Sequence, residues 1–179
     1  MWSGSKKHIL YVGLSDRVTC SFLQIITSRQ LFRGVCFHNY SYVYLHVILA
    51  AFADCHELLM AGQTQDAIYR INPGGKQEFE VFCDQSSQGG GWVVIQKRFS
   101  GLVDFFRNWM SYKVGFGNLT GEFWLGLDKI NRLTSLKRMV LRVDLGDFHN
   151  MSVYAEYDKF RVLSEQASYE LELGKYTGI

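Results

Sequence analysis

The sequence carries no large excess of charge of either sign. Its 179 residues include 19 Lys/Arg and 17 Asp/Glu, a formal net charge of +2, which by itself gives no argument for nucleic-acid binding. Residues 1–53 have five Lys/Arg against one Asp, a net +4, whereas residues 54–179 have fourteen Lys/Arg against sixteen Asp/Glu, a net −2. This asymmetry is more typical of a targeting or juxtamembrane segment than of a nucleic-acid-binding arm. Since no arginine-rich run or aromatic RNA-binding motif is present either, we predict no nucleic-acid partner.

Residue patterns for metal binding and catalysis are also missing. The four cysteines, at positions 20, 36, 55 and 83, form no C-x-x-C pair, and no histidine lies at zinc-ligand spacing. There is no G-x-S-x-G elbow and no H-E-x-x-H motif. Gly89-Gly90-Gly91 precedes a predicted strand rather than a helix, so it does not form a phosphate-binding loop. We therefore predict that the protein is not an enzyme and that this chain has no catalytic or metal-binding residue.

The apolar runs are too short to cross a bilayer as a helix, which needs about 20 residues. The run from Tyr42 to Ala53 has the length of the apolar region of a secretory signal peptide. It ends in Ala51-Phe52-Ala53, an A-x-A cleavage pattern placed immediately before Asp54. We predict an export signal whose true start lies after Met1, or which is preceded by spurious sequence. A buried helix or strand and a signal anchor are the alternatives, and a membrane partner follows only if residues 42–53 act as an anchor.

The chain divides into two parts at about residue 53. Residues 1–53 predict a poorly structured leader, because short apolar runs such as Ile9 to Val12 alternate with polar stretches without a sustained period. Residues 54–179 predict an α+β domain, and Asp54 is placed to cap its first helix, which Gly62 can end. The predicted helices cover residues 55–62, 109–114 and 127–133, and the predicted strands cover residues 67–71, 78–84, 92–99, 138–145, 152–163 and 169–173.

Glycines and aromatic residues recur in a specific order through the middle of the chain. Cys83-Asp84 is followed by Gly89-Gly90-Gly91-Trp92, where the glycines allow positive φ angles and let a large ring lie close to the backbone. Val103 to Trp109, Gly115 to Leu119 and Gly121 to Gly126 follow. In order and spacing, these segments resemble the fibrinogen-like domain of fibrinogen chains, ficolins, tenascins, angiopoietins and related invertebrate lectins. The resemblance runs from about Asp54 to Ile179.

This resemblance implies a fold and a disulfide. The fold would be of the fibrinogen C-terminal type, with a small antiparallel N-terminal sheet followed by an incomplete central antiparallel sheet with short helices. The family carries a disulfide at the positions of Cys55 and Cys83. Here it would close a loop of about 29 residues and stabilise the domain by about 3.6 kcal/mol in the chain-entropy treatment. Two unpaired buried thiols in a cytosolic protein are the alternative, and the state of Cys20 and Cys36, which have no counterpart in the family, stays open.

The resemblance also places functional parts of the family's domain after position 179. That later part holds the calcium loop, a second disulfide and most of the ligand pocket, so we assign no cofactor to this chain and leave its ligand-binding residues unknown. We expect a fragment, a truncated isoform or an incomplete gene model. Such a chain would be marginally stable or aggregation-prone, because its central sheet would lack strands and part of its apolar face would be uncovered.

Three triplets fit the N-glycosylation pattern, beginning at Asn39, Asn118 and Asn150. We predict modification of Asn118 and Asn150, because the first lies in a glycine-rich loop and the second in a turn. Asn39 precedes the proposed cleavage point and would be removed with the signal.

The aromatic residues allow two interpretations. Trp92, Trp109 and Trp124 could form a platform on which sugars stack, but their glycine-flanked apolar segments favour a place in the core. We predict the core for them and for three phenylalanines nearby, Phe105, Phe106 and Phe123.

Two functional hypotheses of different classes follow. The resemblance implies a secreted, extracellular, non-enzymatic recognition module that binds carbohydrate or a protein ligand in innate recognition, adhesion or the matrix. The second hypothesis is a truncated structural or regulatory fragment without ligand binding of its own, which pairs only with other chains. Neither heptads nor Gly-X-Y repeats are present, so the sequence predicts no oligomeric state.

Overall fold

The structure is a computed structural model that describes residues 7–14, 52–147, 149 and 151–178. Within this part of the chain the helices are α1 (Cys55–Met60), α2 (Trp109–Val114) and α3 (Leu127–Leu136). The strands are β1 (Lys7–Leu14), β2 (Ala67–Ile71), β3 (Phe79–Asp84), β4 (Trp92–Arg98), β5 (Phe116–Gly117), β6 (Phe123–Trp124), β7 (Met139–Gly146), β8 (Ser152–Val162), β9 (Leu171–Leu173) and β10 (Tyr176–Gly178). Short 3-10 turns cover Pro73–Gly75, Ser87–Gly89 and Glu165–Ala167. The α+β class is therefore confirmed, and most elements lie within two residues of their predicted bounds.

Some sequence predictions lie outside the described residues. These are most of the proposed export signal, residues 42–51, the state of Cys20 and Cys36, and the glycosylation of Asn150. They stay predictions, as does the division of the chain at residue 53.

The strands form one antiparallel sheet in the order β10-β8-β7-β1-β4-β3-β2. The β5–β6 hairpin pairs with β4, and β9 pairs with the C-terminal end of β8. The sequence predicts a small N-terminal sheet and a central sheet, and both are present as β2–β4 and β7–β10. The structure adds that β1 joins them, so that hydrogen bonding is continuous from β2 to β10.

Strand β1 corrects the prediction of a poorly structured leader for residues 7–14. It lies in the middle of the sheet, antiparallel to both β4 and β7, and its residues Ile9, Tyr11 and Val12 are buried. A strand covered on both faces shows no alternation of polar and apolar residues, so the periodicity of the sequence does not reveal it. Its hydrogen-bonding partners also lie far along the chain, where no local pattern points back to it.

The core lies where the helices pack on the sheet. Helix α3 presents Ile130 and Leu133, one turn apart on the same face, to the buried cluster. Thr134 connects this helix to β8, because its hydroxyl donates to the carbonyl oxygen of Ile130 (2.9 Å) and accepts from the N–H of Val162 (3.1 Å). The other fully buried large side chains include Val12, Ile71, Val81, Val93, Val94, Ile95 and Phe123.

Candidate functional site

A buried carboxylate organises the loop that follows β4. Oε1 of Glu122 accepts hydrogen bonds from the backbone N–H groups of Phe99 (2.7 Å), Ser100 (2.5 Å) and Gly101 (2.8 Å), and Oε2 accepts one from Val103 (2.9 Å). Burial by itself would raise the pKa of this carboxyl, but the four backbone donors outweigh burial and lower the pKa to about 2. The loop is therefore closed around a group that stays ionised at neutral pH.

Hydrogen bonds between residues close in sequence connect this loop to α2. Oδ1 of Asp104 accepts from the N–H of Phe106 (2.8 Å), and Nε of Arg107 donates to the carbonyl oxygen of Asp104 (2.9 Å). Asn108 caps the helix, since its Oδ1 accepts from the N–H of Ser111 (3.0 Å). These contacts join residues close in sequence, which explains why the bounds of α2 were predicted correctly.

A group of packed rings lies under the loop. The ring centroid of Phe116 lies 5.0 Å from that of Phe105 and 5.2 Å from that of Tyr112. The Tyr112 hydroxyl donates to the carbonyl oxygen of Phe105 (2.8 Å), and Nε1 of Trp124 donates to the carbonyl oxygen of Tyr112 (2.8 Å). The guanidinium of Arg98 lies 4.8 Å from the Phe105 ring centroid. These rings give the loop and the start of α2 a fixed base.

Other apolar side chains of the same segment are exposed. Leu102 is 90% and Phe106 96% accessible, and on α2 the side chains of Trp109 (56%), Met110 and Val114 also face solvent. We call these five residues the 102–114 apolar surface. The prediction that Phe106 and Trp109 fill the core is thus wrong, because α2 contributes no buried residue and the core is completed by other elements.

An open cleft of about 650 Å³ adjoins this surface. It is lined by the loop residues 101–106, by Tyr112 of α2, by Gln96 and Arg98 of β4, and by His8 of β1. Leu102 and Phe106 form an apolar part of its wall, and Arg98 and Asp104 form a charged part. Apolar walls with a few polar groups can bind a ligand.

The predicted disulfide is present. Cys55 and Cys83 are bonded with their Cα atoms 5.6 Å apart, and the bridge links α1 to β3. Gln85 supports it, because its Nε2 donates to the carbonyl oxygen of Cys55 (3.0 Å) and its Oε1 accepts from the N–H of Gly91 (2.8 Å). Gly90 has φ of +74°, and a Cβ there would lie 2.3 Å from the carbonyl oxygen of Gln85. The triple-glycine turn therefore packs tightly against the bridge.

Helix α1 begins at the predicted cap beside this bridge. Oδ1 of Asp54 accepts from the N–H of Glu57 (2.9 Å), and Nζ of Lys137 donates to the other oxygen of Asp54 (3.1 Å) and to Glu57. We call residues 54–62 and 83–92, with the bridge, the disulfide corner.

The other residues singled out in the sequence have separate places. Asn118 is exposed, and its Oδ1 accepts from the N–H (3.0 Å) and the hydroxyl (2.8 Å) of Thr120. Its glycosylation stays a prediction. Trp92 and Phe123 are buried, as predicted, and Trp124 is half-buried.

Two parts of the site were not predicted from the sequence, the anchoring by Glu122 and the exposure of the apolar surface. Glu122 stands between a glycine and the apolar pair Phe123-Trp124. A carboxylate inside an apolar segment is rarely buried unless it has partners, and this is the signal that could have indicated its role. No local signal distinguishes the exposed rings from the buried ones.

Neither a metal site nor a membrane-spanning helix is found in the part of the chain that the structure describes. Across residues 7–14, 52–147, 149 and 151–178, no three His, Cys, Asp or Glu side chains are grouped so that they could hold a metal ion. The longest helix within the same ranges has 10 residues, and none is long and apolar enough to cross a membrane.

Comparison with known proteins gives consistent matches in sequence and in structure. The sequence profile of the family described as "Fibrinogen beta and gamma chains, C-terminal globular domain" matches residues 51–179. Fibroleukin of Homo sapiens is 47% identical over 128 residues, which are 71% of this chain and 29% of fibroleukin. The fibrinogen-like globe domain of human ANGPTL2 aligns with a TM-score of 0.70 and 43% identity, over 72% of this chain and 60% of that one. A lamprey fibrin D-dimer, complexed with the peptide ligand Gly-His-Arg-Pro-amide, aligns with a TM-score of 0.68 and 37% identity, over 87% of this chain and 49% of that one.

These matches concern one domain of longer proteins. The chain spans 29% of the length of fibroleukin, and its relatives are proteins of the extracellular type. The matched segment contains the disulfide corner, the Glu122 loop and the 102–114 apolar surface. Since the family profile covers well over half of the chain, this protein belongs to the family of the C-terminal globular domain of fibrinogen beta and gamma chains.

Proposed function

We propose that this chain is a secreted, non-enzymatic recognition module that binds an extracellular protein through the 102–114 apolar surface. The observation that carries the proposal is the exposure of Leu102 and Phe106, which are 90% and 96% accessible. Large apolar side chains exposed together are typical of interaction surfaces. The loop that carries them is held by Glu122, so the surface is ordered before a partner arrives and less conformational entropy is lost on binding.

A protein ligand is favoured over a carbohydrate by two observations. The lamprey fibrin to which this chain is similar has a peptide as its ligand. The exposed surface is also mainly aliphatic and aromatic, with Met110 and Val114 beside the rings, whereas a sugar needs a set of polar partners around a stacking ring. Carbohydrate binding, with Trp109 as the stacking ring, is the alternative within the same proposal.

Secretion is supported by the bridge between Cys55 and Cys83, because structural disulfides form and persist in oxidising compartments. The exposed Asn118 is available for glycosylation there. Expression of the full chain in cultured animal cells tests this part of the proposal. We expect the protein in the medium, with a glycosidase-sensitive mobility shift that Asn118→Gln reduces. Retention of an unglycosylated chain with free thiols in the cytosol would contradict secretion.

The proposal assigns no cofactor to residues 1–179. The calcium site of the family is expected in sequence that follows position 179 in its members, and binding through the 102–114 apolar surface does not depend on it.

The ligand proposal is tested with purified chain on two arrays, one of extracellular matrix proteins and one of acetylated and sulfated glycans. The double variant Phe106→Ser/Trp109→Ser removes the two exposed rings. Met60→Ser is the matched control, because Met60 on α1 is an apolar residue as exposed as Trp109. We expect binding to one or more array proteins that falls at least about tenfold in the double variant and is unchanged in the control.

One result would contradict the site, and another would contradict the class of ligand. Equal binding by the double variant and the wild type would show that the ligand binds to another surface of the protein. Binding to glycans alone, lost with Trp109→Ser, would replace the protein ligand by a carbohydrate.

A second candidate function has a specific observation in its favour. The apolar side chains of Val153, Leu171, Leu173 and Tyr176 are exposed on β8, β9 and β10, which suits a fragment that has no ligand and pairs only with other chains. Light scattering distinguishes this candidate. Self-association that Leu171→Ser/Leu173→Ser abolishes, together with no ligand on either array, would favour it over the recognition module.

A further inference from the structure

A second open cleft, of about 450 Å³, lies where the last turn of α3 meets the start of β7 and the end of β8. Eight described residues line it, of which four are cationic and none is acidic. The cations are Lys137, Arg138, Lys159 and Arg161. All eight residues lie within the matched domain, so removal of the predicted export signal would leave the cleft intact. We call this space the basic cleft.

The pairing of β7 with β8 places two of these cations side by side. Met139 lies opposite Phe160, and both side chains are buried in the core. One residue further along the two antiparallel strands, Arg138 comes next to Arg161. Their side chains face away from the core, because neighbouring residues of a strand alternate between its faces, and both arginines are exposed. Since like charges opposite each other on paired strands lower stability, an anion that neutralises both would be bound favourably.

Two carboxylates beside these cations leave most of their N–H donors available. Asp158 lies 3.2 Å from a terminal nitrogen of Arg138, and Glu172 lies 2.8 Å from Nζ of Lys159. The side chains of Arg138 and Lys159 are still 60% and 46% accessible, and ion pairs as exposed as these are weak. Glu172 also lies opposite Arg161 on β9, but its carboxylate is held by Lys159. Among the described residues, Arg161 therefore forms no salt bridge of its own.

The arrangement of the cations favours a polyanion over a single small anion. Lys137 is already neutralised by Asp54 and Glu57, and the other three cations stand on long, exposed side chains around an open cleft. A small ligand needs convergent polar groups in an enclosing site, whereas a polyanion binds through several exposed cations and releases its own counterions. The relatives of this chain are proteins of the extracellular type, and the polyanions of that space are sulfated polysaccharides.

We propose that the basic cleft binds a sulfated polysaccharide, with Arg138 and Arg161 on one sulfate group and Lys159 on the next. A guanidinium presents parallel N–H donors to an oxyanion, which suits the paired arginines to a sulfate. Lys159 and Arg161 are two residues apart on β8 and so about 6.6 Å apart along the strand, which leaves room for a second sulfate. The cleft shares no residue with the 102–114 apolar surface, so one molecule can hold a protein ligand and a polysaccharide together.

Binding of the full chain to immobilised heparin, measured at several salt concentrations, tests this proposal. The variant Arg138→Gln/Arg161→Gln removes two charges from the cleft. The matched control Arg70→Gln/Lys76→Gln removes two exposed charges elsewhere on the chain. We expect the Kd to rise at least about tenfold in the cleft variant and less than about twofold in the control, with a shallower salt dependence only in the cleft variant. Desulfated heparin should bind the wild type at least about tenfold more weakly than heparin.

Three results would overturn the proposal. Equal losses in the two variants would show that heparin responds only to the net charge of the protein. Equal binding of heparin and desulfated heparin would show that the sulfate groups are not recognised. Binding of a DNA duplex as tight as that of heparin would show that the cleft does not select a polysaccharide.

A second measurement needs no variant of the protein and so does not depend on the folding of one. The wild-type chain is acetylated at its lysines with a succinimidyl ester, with and without saturating heparin, and the rate at each lysine is measured by mass spectrometry. Lys159 lines the cleft and Lys76 is an exposed lysine outside it. We expect heparin to slow acetylation of Lys159 at least about fivefold and to leave the rate at Lys76 unchanged. Equal rates at Lys159 with and without heparin would overturn the proposal.

Discussion

The disulfide corner and the 102–114 apolar surface are built from the same kinds of residue and differ in what holds them. Both combine glycines with large rings, yet Trp92 is 3% accessible and Trp109 is 56% accessible. In the corner, a covalent bridge and the buried side chain of Gln85 fix the backbone, and the glycines admit close packing. In the surface, the carboxylate of Glu122 fixes the loop from one side and leaves the outer side chains uncovered.

This difference separates stability from recognition within one small domain. Changes in the corner remove buried contacts and should lower the free energy of unfolding. Changes on the apolar surface remove groups that solvent already surrounds, so they should affect binding and leave stability nearly unchanged. Glu122 is the exception, because it is a buried group whose task is to hold the surface.

Replacing Trp92 and Trp109 by alanine, one at a time, tests the difference between the corner and the surface most directly. Trp92→Ala leaves a cavity under β1 and should lower the free energy of unfolding by about 3–5 kcal/mol. Trp109→Ala should lower it by less than about 1 kcal/mol, since this ring is more than half exposed and contacts Tyr169 at its side, with centroids 5.9 Å apart. Urea unfolding of both variants measures the difference. Equal losses would show that the corner and the surface are not distinct.

Removing the disulfide has the next largest expected effect. Cys55→Ser/Cys83→Ser should lower the free energy of unfolding by about 3.6 kcal/mol, mainly because the unfolded chain gains freedom. The urea midpoint of the double variant is compared with that of the oxidised wild type, and reduced wild type serves as the control. A loss below about 1 kcal/mol would indicate that Gln85 and the glycine turn hold the corner without the bridge.

Replacing Glu122 tests the group that holds the loop of the apolar surface. Glu122→Gln keeps the shape but places an N–H group among four backbone donors, so we expect a loss of about 2–3 kcal/mol and weaker ligand binding. Glu80→Gln, at an exposed carboxylate on β3, is the matched control and should change stability by less than about 0.5 kcal/mol. Equal stability and equal ligand binding of the two variants would show that Glu122 does not hold the loop.

The same carboxylate predicts a pH dependence. The pKa of Glu122 in the folded protein is about 2, below the ordinary glutamate value of about 4.3, so the unfolded chain takes up the proton first as pH falls. Its stabilisation is complete above about pH 5 and is lost as pH falls through about 2. The difference in unfolding free energy between wild type and Glu122→Gln should therefore shrink between pH 6 and pH 2. A difference that stays constant over this range would contradict the assignment.

Metal removal should have the smallest effect. The described residues contain no group of metal-ligating side chains, so EDTA should change the Tm by no more than about 1 °C, since stabilisation by a ligand requires a site in the folded state. Addition of calcium after dialysis is the matching control. A fall of several degrees would place a metal site in this chain and require another account of its stability.

Much of the local structure could be predicted because its signals lie close together in the chain. Asp54, placed to cap the first amide groups, predicts the start of α1, and alternating residues between turns predict β2 from Ala67 to Ile71. The bridge between Cys55 and Cys83 followed from the resemblance to a family, since the spacing of the two cysteines alone does not determine their pairing.

The place of β1 and the exposure of Phe106 and Trp109 could not be predicted. Strand β1 pairs with residues far from it in sequence, so no window of the sequence contains both partners. Whether a ring is buried depends on which elements cover it after folding. Helix α2 has the same apolar composition whether its outer face is covered or open.

The sequence by itself determined the α+β class, the caps and the turns, because each depends on residue types at short spacing, and its resemblance to a family supplied the pairing of Cys55 with Cys83. Only the tertiary structure decided that a segment before the domain completes the sheet, that Glu122 holds the loop, and that apolar side chains of that loop and of α2 face solvent. The reason is physical: hydrogen bonds within a turn act over a few residues, whereas burial is a property of the surfaces that meet when distant parts of the chain pack together.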